Sequence, residues 1–248
     1  SASAIAVNSC RDALWAHPKP NPVGIVMSFE NLTMNLYTGK ERSMLVPNSL
    51  FRMGAVALVF GVNPSLRING YTLKAQYKLD ELIRTHIGRD DKAAVCIYHT
   101  EDSEGHTGVR LSKDVPKVAS KALTINVSTL AKRILPVRVL LSYVIRAGWA
   151  KLTGSKKTIT PNFLSVISHV CVHAGGRGVI DAIQKDFDFP DEVVKDSREV
   201  LYKYGNQSSA SIWYIFDLLH PKVRRGEKVW QITFGSGFKS NSLVWTRL

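Results

Sequence analysis

The sequence is poor in cysteine: 248 residues contain Cys10, Cys96 and Cys171 and no other. No pair is spaced as C-x-x-C and the number is odd, so neither a disulfide framework nor a cysteine zinc site is predicted. A reducing compartment is therefore favoured. No apolar run approaches the roughly 18 residues that a bilayer-spanning helix needs. The first residues, SASAIAVNSC, have no basic segment ahead of an apolar one and do not form a signal peptide.

Acidic residues are also scarce. Thirty-three Lys and Arg stand against twenty Asp and Glu, which gives a net charge of +13. Such a surface attracts anions, which include nucleic acid, acidic lipid headgroups and phosphorylated molecules such as a coenzyme A ester. Nucleic-acid binding has no further support, because the basic residues are scattered and no helix-turn-helix, RNP or zinc pattern is present. With 45% hydrophobic residues the chain is expected to be globular.

Apolar periodicity predicts alternating helices and strands. Ser1–Ala16 has a face of small residues and reads as a helix. Asp114 is predicted to cap a helix over Val115–Thr124. Buried strands are expected at Val23–Phe29 and Ala55–Phe60, and further strands at Tyr77–Thr85 and Ala93–Tyr98.

The segment Ile134–Trp149 is apolar but carries arginines and has lysines on both sides. It reads either as an interfacial helix that touches a membrane or as an ordinary amphipathic surface helix, and both readings stay open. The polar stretch Lys156–Asn162 is the best boundary in the chain. It divides the sequence into residues 1–155 and 156–248.

The stretch SVISHVCVHAGGRG, Ser165–Gly178, organises the remainder of the chain. Its branched apolar residues predict a buried strand, and Gly175 and Gly176 predict a sharp turn after it. His173 would then lie at a strand end, where α/β enzymes usually hold their chemistry. The alternative is a satisfied structural histidine.

Two later features complete a possible site. Asn206 is expected just outside the N-terminus of a helix capped by Ser208 or Ser209. Lys228–Phe234 and Asn241–Trp245 are expected to form a hairpin with a glycine-rich tip. An imidazole and a carboxamide aimed at one oxygen form a neutral donor pair, which can stabilise an enolate or an oxyanion. Carbon–carbon condensation of thioesters requires this, together with a cysteine that carries the acyl group.

Several passages, spread over nearly the whole chain, resemble the plant-type 3-ketoacyl-CoA synthases, thiolase-like condensing enzymes that elongate very-long-chain fatty acids. The passages are SFENLTMNLYTGKERSMLVPNSLFRMG, RTHIG, TGVRLSKD, VCVHAGGRGVID, YGNQSSASIWY and KVWQITFGSGFKSNSLVW. The resemblance implies an α/β fold, a layered α-β-α-β-α sandwich. This chain would hold the end of its first half and all of its second half.

The resemblance also implies roles for single residues. His173 and Asn206 match the catalytic histidine and asparagine, and Gly235, Ser236, Gly237 and Phe238 match the loop that shapes the acyl pocket. His86 and His169 match histidines that we interpret as structural or supporting. Tyr202 and Ser240 depart from the family pattern and are expected to alter pocket polarity.

The nucleophile is the main departure. The family's cysteine would fall immediately before Ser1, so the chain is expected to be a fragment of a longer protein. Cys171 is retained as a fallback nucleophile, because it shares a strand face with His173.

The implied reaction joins a long-chain acyl-CoA with malonyl-CoA and releases 3-ketoacyl-CoA, with no metal or redox cofactor. The implied partners are the two coenzyme A esters, a membrane surface, other elongase subunits and a second copy in a homodimer, but no nucleic acid. The implied location is the endoplasmic reticulum membrane, with the catalytic part facing the cytosol. The alternative function is a catalytically inactive fragment or paralogue that lacks the nucleophilic cysteine and acts as a scaffold or partner subunit.

Overall fold

The computed structural model describes residues 1–68, 70–154 and 159–248. Its helices are α1 (Ala2–Ala16), α2 (Arg42–Leu50), α3 (Asp91–Ala94), α4 (Val115–Ile134), α5 (Val137–Leu152), α6 (Arg177–Phe187), α7 (Asp191–Tyr204) and α8 (Ser211–Leu219). Its strands are β1 (Val23–Glu30), β2 (Gly54–Gly61), β3 (Ser65–Ile68), β4 (Tyr71–Lys74), β5 (Tyr77–His86), β6 (Ile97–Glu101), β7 (Thr107–Leu111), β8 (His169–Val172), β9 (Lys228–Gly235) and β10 (Lys239–Arg247).

The central sheet has the strand order β5-β10-β9-β8. β9 and β10 form the predicted hairpin and pair from Lys239 with Gly235 to Thr246 with Lys228. β8 runs parallel to β9, with His169 opposite Val229. The strand that leads to His173 therefore lies beside the strand that leads to the glycine-rich tip. Because the two strands are parallel, their C-terminal ends lie at the same end of the sheet.

Helices cover both faces of this sheet. Side chains such as Val172, Trp230 and Ile232 point into a core cluster that also contains residues of α4 and α6. Cys171 and Leu243 belong to a second cluster, formed with residues of α1 and α8. Because side chains alternate along a strand, each strand contributes to both clusters. The result is the layered α/β arrangement expected from the sequence.

The predicted strands Val23–Phe29 and Ala55–Phe60 exist, but the prediction that they are buried was wrong for one of their two faces. β1 and β2 pair with each other in an antiparallel ladder from Val23 with Gly61 to Glu30 with Gly54. One face packs against α1, whereas on the other face Met27 is 76% and Phe29 72% exposed. A continuous apolar run does not reveal which face of a strand is covered.

Two local predictions were also wrong. Ala93–Tyr98 does not form one strand, because Asp90 accepts hydrogen bonds from the backbone of Lys92 and Ala93 and starts the short helix α3. The helix after Asp114 extends to Ile134 rather than Thr124, and the Asp114 side chain makes no capping hydrogen bond. The apolar spacing continues beyond Thr124 through Val127, Leu130 and Ala131, all buried.

The apolar segment after Ile134 forms α5, and none of its residues is buried. In the part of the chain that the structure describes, no helix has the length and apolar character needed to cross a bilayer. The start of the predicted linker Lys156–Asn162 lies outside the described residues. The division into residues 1–155 and 156–248 stays a prediction.

Candidate active site

His173 follows β8 directly and is held by the backbone of the sheet. Its N–H donates to the carbonyl oxygen of Ile232 (2.9 Å), and its own carbonyl accepts from the N–H of Gly175 (2.7 Å). The side chain is only 7% exposed, and its Nδ1 has no hydrogen-bond partner among the described residues. Burial lowers the pKa of His173 from 6.5 to about 3. The imidazole is therefore neutral at physiological pH.

The turn after His173 is shaped by Gly175. A Cβ atom at Gly175 would lie 3.1 Å from Cδ2 and 3.4 Å from Nε2 of His173. The Nε2 edge of the ring therefore faces the turn. The absence of a side chain at Gly175 leaves that edge free to meet another group.

Asn206 is positioned by its backbone. Gly205 has φ +70°, and a Cβ there would lie 2.7 Å from Cγ of Arg52 and 3.2 Å from the oxygen of Leu50. Asn206 then makes an isolated parallel bridge with Phe51: its N–H donates to Leu50 (2.9 Å), and its carbonyl accepts from Arg52 (2.8 Å). The positive φ of Gly205 and the two backbone hydrogen bonds of Asn206 thus fix the position from which its side chain extends.

The Asn206 side chain is buried and reaches the turn that follows His173. Nδ2 donates to the carbonyl oxygen of Gly175 (3.1 Å), and Oδ1 accepts from the N–H of Ser208 (2.8 Å). The structure thus brings the two predicted catalytic residues together at Gly175, although 33 residues separate them in sequence. One Nδ2 hydrogen is left to donate to another oxygen.

The predicted helix cap beside Asn206 was wrong. α8 begins at Ser211, with Ala210 rather than a serine at the N-cap. Ser208 adopts φ +51°, and the Ser209 hydroxyl donates to Glu30 instead. The Ser209 hydroxyl therefore bonds to a residue of the distant strand β1 and does not cap the helix that follows it. Asn206 consequently does not stand at the N-terminus of α8.

The N-terminus that does lie at the site is that of α1. The Ser1 nitrogen donates to the carbonyl oxygen of Phe234 (3.0 Å), and a Cβ at Gly235 would overlap the Ser1 hydroxyl. The positive end of the α1 dipole therefore points toward the same region as His173.

Sequence reasoning assigned no role to a polar cluster that joins α1, β1 and the segment before α8. Glu30 Oε1 accepts from the N–H of Ser209 (3.0 Å), and the Ser3 hydroxyl donates to the Ser209 carbonyl (2.7 Å). The hydroxyls of Ser28 and Ser209 lie 2.5 Å apart. The available signal was the polar pair Ser28 and Glu30, two residues apart on one face of an otherwise apolar strand.

The loop Gly235–Phe238 closes another side of the site. Its backbone is held by Ile87, whose N–H donates to Phe238 (3.0 Å), and by Lys239, whose Nζ donates to Ser236 (3.0 Å). His86 Nε2 lies 3.2 Å from the Gly237 oxygen, which agrees with a supporting role for that histidine. His169 pairs instead with Glu227 (3.0 Å), far from the loop, as a structural residue would.

Five of the six predicted site residues share one cavity of about 470 Å³. His173, Asn206, Gly235, Ser236 and Phe238 line it, whereas Gly237 does not. The remaining wall is mainly apolar and includes Leu36, Leu50, Phe51, Ile97, Leu111 and Val179. A polar donor pair in the wall of a mainly apolar cavity suits a ligand that has a carbonyl group and an aliphatic chain.

Three other sequence-based predictions are not supported. Cys171 is fully buried between the sheet and α8, and burial raises its pKa well above the ordinary value, so a reactive thiolate is disfavoured. Tyr202 is 90% exposed, and Ser240 is buried inside the sheet. Neither lines the cavity, so neither alters its polarity directly. Among the described residues no group of His, Cys, Asp or Glu is arranged to hold a metal ion.

The layered fold is of the thiolase-like class, and His173 and Asn206 place a pair of neutral hydrogen-bond donors in it. Residues 1–152 match the family model described as FAE1/Type III polyketide synthase-like protein, and residues 154–244 match the C-terminal domain of chalcone and stilbene synthases. The chain belongs to the FAE1/Type III polyketide synthase-like family.

The sequences of curated relatives support this family assignment. The chain is 45% identical to 3-ketoacyl-CoA synthase 6 of Arabidopsis thaliana over 99% of its own length and 48% of the relative. It is 42% identical to 3-ketoacyl-CoA synthase 5 of the same plant, covering 99% of the chain and 49% of the relative. The chain thus spans about half the length of the curated relatives it matches.

Solved structures confirm the predicted fold class. PKS-I from the brown alga Ectocarpus siliculosus superposes with a TM-score of 0.72 at 16% identity, over 100% of this chain and 58% of that one. The C-terminal type III polyketide synthase domain of Steely1 from Dictyostelium gives 0.73 at 19% identity, over 99% and 59%.

Proposed function

We propose that this chain supplies the enolate-stabilising part of a condensing acyltransferase, which joins a long-chain acyl-CoA with malonyl-CoA to form 3-ketoacyl-CoA. The convergence of the His173 ring edge and the Asn206 amide on the turn at Gly175, inside one apolar cavity, carries the proposal. The similarity to 3-ketoacyl-CoA synthases supports the choice of substrates.

In the proposed reaction the malonyl thioester loses carbon dioxide. The bond to the carboxylate carbon breaks, and its electron pair passes into the thioester as an enolate. His173 Nε2–H and Asn206 Nδ2–H donate to the enolate oxygen. Both donors are neutral, because the lowered pKa of His173 keeps its ring unprotonated at physiological pH. Neutral donors stabilise the developing charge without trapping the enolate as a tight ion pair.

The enolate carbon then attacks the carbonyl of an acyl thioester, and the carrier thiolate departs as the new carbon–carbon bond forms. We assign the carrier to a cysteine joined to the Ser1 nitrogen, as the resemblance implies. The α1 N-terminus would lower the pKa of such a thiol, because the positive end of a helix dipole favours a thiolate. The apolar cavity beside Phe51 and Leu111 would hold the acyl chain.

The partners and the location follow from this proposal. The chain's net charge of +13 suits the phosphates of coenzyme A and an anionic membrane face. We propose that no metal or redox cofactor is needed and that nucleic acid is not a partner. We further propose that the protein acts with other elongase subunits, as a homodimer, on the cytosolic face of the endoplasmic reticulum.

The test uses the chain extended by its upstream coding sequence, purified and incubated with long-chain acyl-CoA and radiolabelled malonyl-CoA. The extended protein should form labelled 3-ketoacyl-CoA, and His173→Ala and Asn206→Ala should each reduce the rate by about 10²–10³-fold. Matched controls are His17→Ala and Asn31→Ala, which change exposed residues. If both site variants condense as fast as the parent, the assigned roles are wrong. If the well-folded extended protein is inactive, the scaffold alternative replaces the proposal.

A further inference from the structure

Helix α5 is attached to the protein by one side only. Val139 and Leu140 pack against the main core cluster, and the residues on the same side of the helix are half-buried. The opposite side exposes large apolar side chains, with Val137 80%, Trp149 70% and Leu152 84% exposed. The exposed set is Val137, Leu141, Val144, Ile145, Trp149 and Leu152. At about 100° per residue these six fall within one sector of about 140°.

Basic residues lie within this apolar sector and at its borders. Lys151 lies on one edge, Arg146 lies beyond the other, and Arg138 lies between Ile145 and Trp149 in helical projection. Among the described residues none of these three cations has a carboxylate within ion-pair distance. The surrounding sequence explains this, since residues 115–180 contain ten Lys and Arg but no Asp or Glu. This segment therefore carries most of the chain's excess positive charge.

A shallow pocket of about 350 Å³ lies where the basic edge of α5 meets the body of the protein. Arg138, Ser142 and Arg146 line it from three successive turns of the helix, and Asn162 and Ser165 line it from the opposite side. Two guanidinium groups with neighbouring hydroxyls form a pocket suited to a phosphate group. The pocket lies beside the apolar sector, as a headgroup site should lie beside the acyl chains.

We propose that the outer face of α5 binds the surface of an anionic bilayer, with the helix lying flat, its apolar sector in the acyl boundary and Arg138 and Arg146 on a lipid phosphate. A 16-residue helix of this kind lies on a membrane rather than across it. The indole of Trp149, at the edge of the apolar sector, suits the membrane–water interface, because it has an apolar body and a polar N–H.

A second exposed apolar surface differs from that of α5 in its charge, and the difference favours a bilayer over a protein as the partner of α5. The open face of β1 and β2 presents Ile25, Met27, Phe29 and Val59 without an intervening cation. Such a face suits a protein partner, since interface cores are depleted of charge. On α5 the apolar side chains are mixed with cations, which is typical of helices that bind anionic lipid.

The first experiment measures co-sedimentation of the 248-residue chain with vesicles. Binding is expected to phosphatidylcholine vesicles that contain phosphatidylserine, to be much weaker with phosphatidylcholine alone, and to fall with added salt. The triple variant Arg138→Gln, Arg146→Gln, Lys151→Gln should lose on the order of a hundredfold in partition, because each cation near an anionic surface contributes about a factor of five. The control Lys19→Gln, Lys74→Gln, Arg89→Gln removes the same charge from exposed positions elsewhere and should bind nearly as well as the parent.

The apolar sector is tested by the pair Leu141→Ser, Ile145→Ser. Its control is Met27→Ser, Val59→Ser, which truncates exposed side chains on the open face of β1 and β2. The α5 pair should lower binding to the anionic vesicles at least tenfold, and the control pair should leave it within twofold. Equal effects of the two pairs would contradict a specific role of α5.

The second experiment locates the contact by fluorescence. Trp15 and Trp149 are the exposed tryptophans, whereas Trp213, Trp230 and Trp245 are buried. Vesicles with brominated acyl chains should quench Trp15→Phe, which retains Trp149, and should leave Trp149→Phe nearly unquenched. The proposal fails if neither variant is quenched, if both are quenched alike, or if neutral vesicles bind as well as anionic ones. It also fails if α5 variants convert a dimer of the chain to a monomer while vesicles go unbound, since a second copy would then cover this face.

Discussion

The side-chain amide of Asn206 donates to the carbonyl oxygen of Gly175 (3.1 Å), two residues after His173. The same glycine leaves the Nε2 edge of the His173 ring uncovered. The turn therefore serves both donors: it orients the carboxamide by a hydrogen bond and leaves the imidazole edge open to another group. Preorganised donors of this kind stabilise charge without the cost of reorientation during the reaction.

Asn206→Asp should remove the hydrogen-bond donor of this side chain with little change in its shape. The new carboxylate can still accept from Ser208, but it has no hydrogen to donate and would repel an enolate. We expect condensation by the extended protein to fall by about 10²–10³-fold. The control Asn31→Asp keeps an oxygen acceptor for the Thr33 N–H and should retain full activity. Retained activity in Asn206→Asp would show that the amide is not a donor.

His173 should make the folded protein less stable in acid. The unfolded chain binds a proton at this residue near its ordinary pKa of 6.5, whereas the folded chain does so only near 3. The free energy of unfolding should therefore fall as pH decreases from 6.5 toward 3, by at most about 1.4 kcal/mol per pH unit from this group. His173→Gln should show a shallower decrease in urea titrations at several pH values. His17→Gln, at an exposed position, should follow the parent, and a parallel curve for His173→Gln would refute the prediction.

Gly205→Ala should destabilise the protein and displace Asn206. Its φ of +70° disfavours any side chain, and the added Cβ would press on Arg52 and Leu50. We expect a loss of about 1–3 kcal/mol in the free energy of unfolding. Gly148→Ala is the matched control, because this helical glycine has open space around it; alanine there should stabilise by about 0.5–1 kcal/mol. Chemical denaturation measures both, and equal effects would rule out the assigned strain.

Asn126→Ala should be costly, because this fully buried amide joins α4 to the sheet. Nδ2 donates to the oxygens of Ile83 (3.1 Å) and Ser240 (3.0 Å), and Oδ1 accepts from Ser242 (2.5 Å). Unpaired buried groups should lower the free energy of unfolding by about 2–3 kcal/mol. Thr129→Ala on the exposed side of α4 should change it by less than about 0.5 kcal/mol. A small effect at Asn126 would mean that water replaces the amide.

The three thiols should differ in reactivity. Cys96 and Cys171 are fully buried, whereas Cys10 is half-buried. Burial raises the pKa of all three thiols above the ordinary value, most strongly for Cys171. Iodoacetamide should therefore modify Cys10 first in the native chain and all three thiols in denaturant, as peptide mass mapping would show. Rapid native labelling of Cys171 would restore it as a possible nucleophile.

The amino-acid pattern predicted the elements whose signals are local. The hairpin of β9 and β10, the strand before His173 and helix α1 follow from apolar spacing and glycine-rich turns. Local signals failed where a distant group competed. Ser209 did not cap α8 because Glu30, 179 residues away in sequence, takes its hydroxyl. The strand expected from Ala93 failed for a local reason instead, because Asp90 accepts hydrogen bonds from two nearby backbone N–H groups and starts a helix there.

By itself the sequence determined which residue types are available for chemistry, the excess of positive charge and the motifs that resemble one family. Only the tertiary structure decided that His173 and Asn206 meet at Gly175, that Cys171 is sealed in a core, and that α5 shows an apolar face to solvent. Residue type and periodicity are local properties of the chain. Burial, and with it the pKa of an imidazole or a thiol, depends on segments that are distant in sequence and become neighbours only after folding.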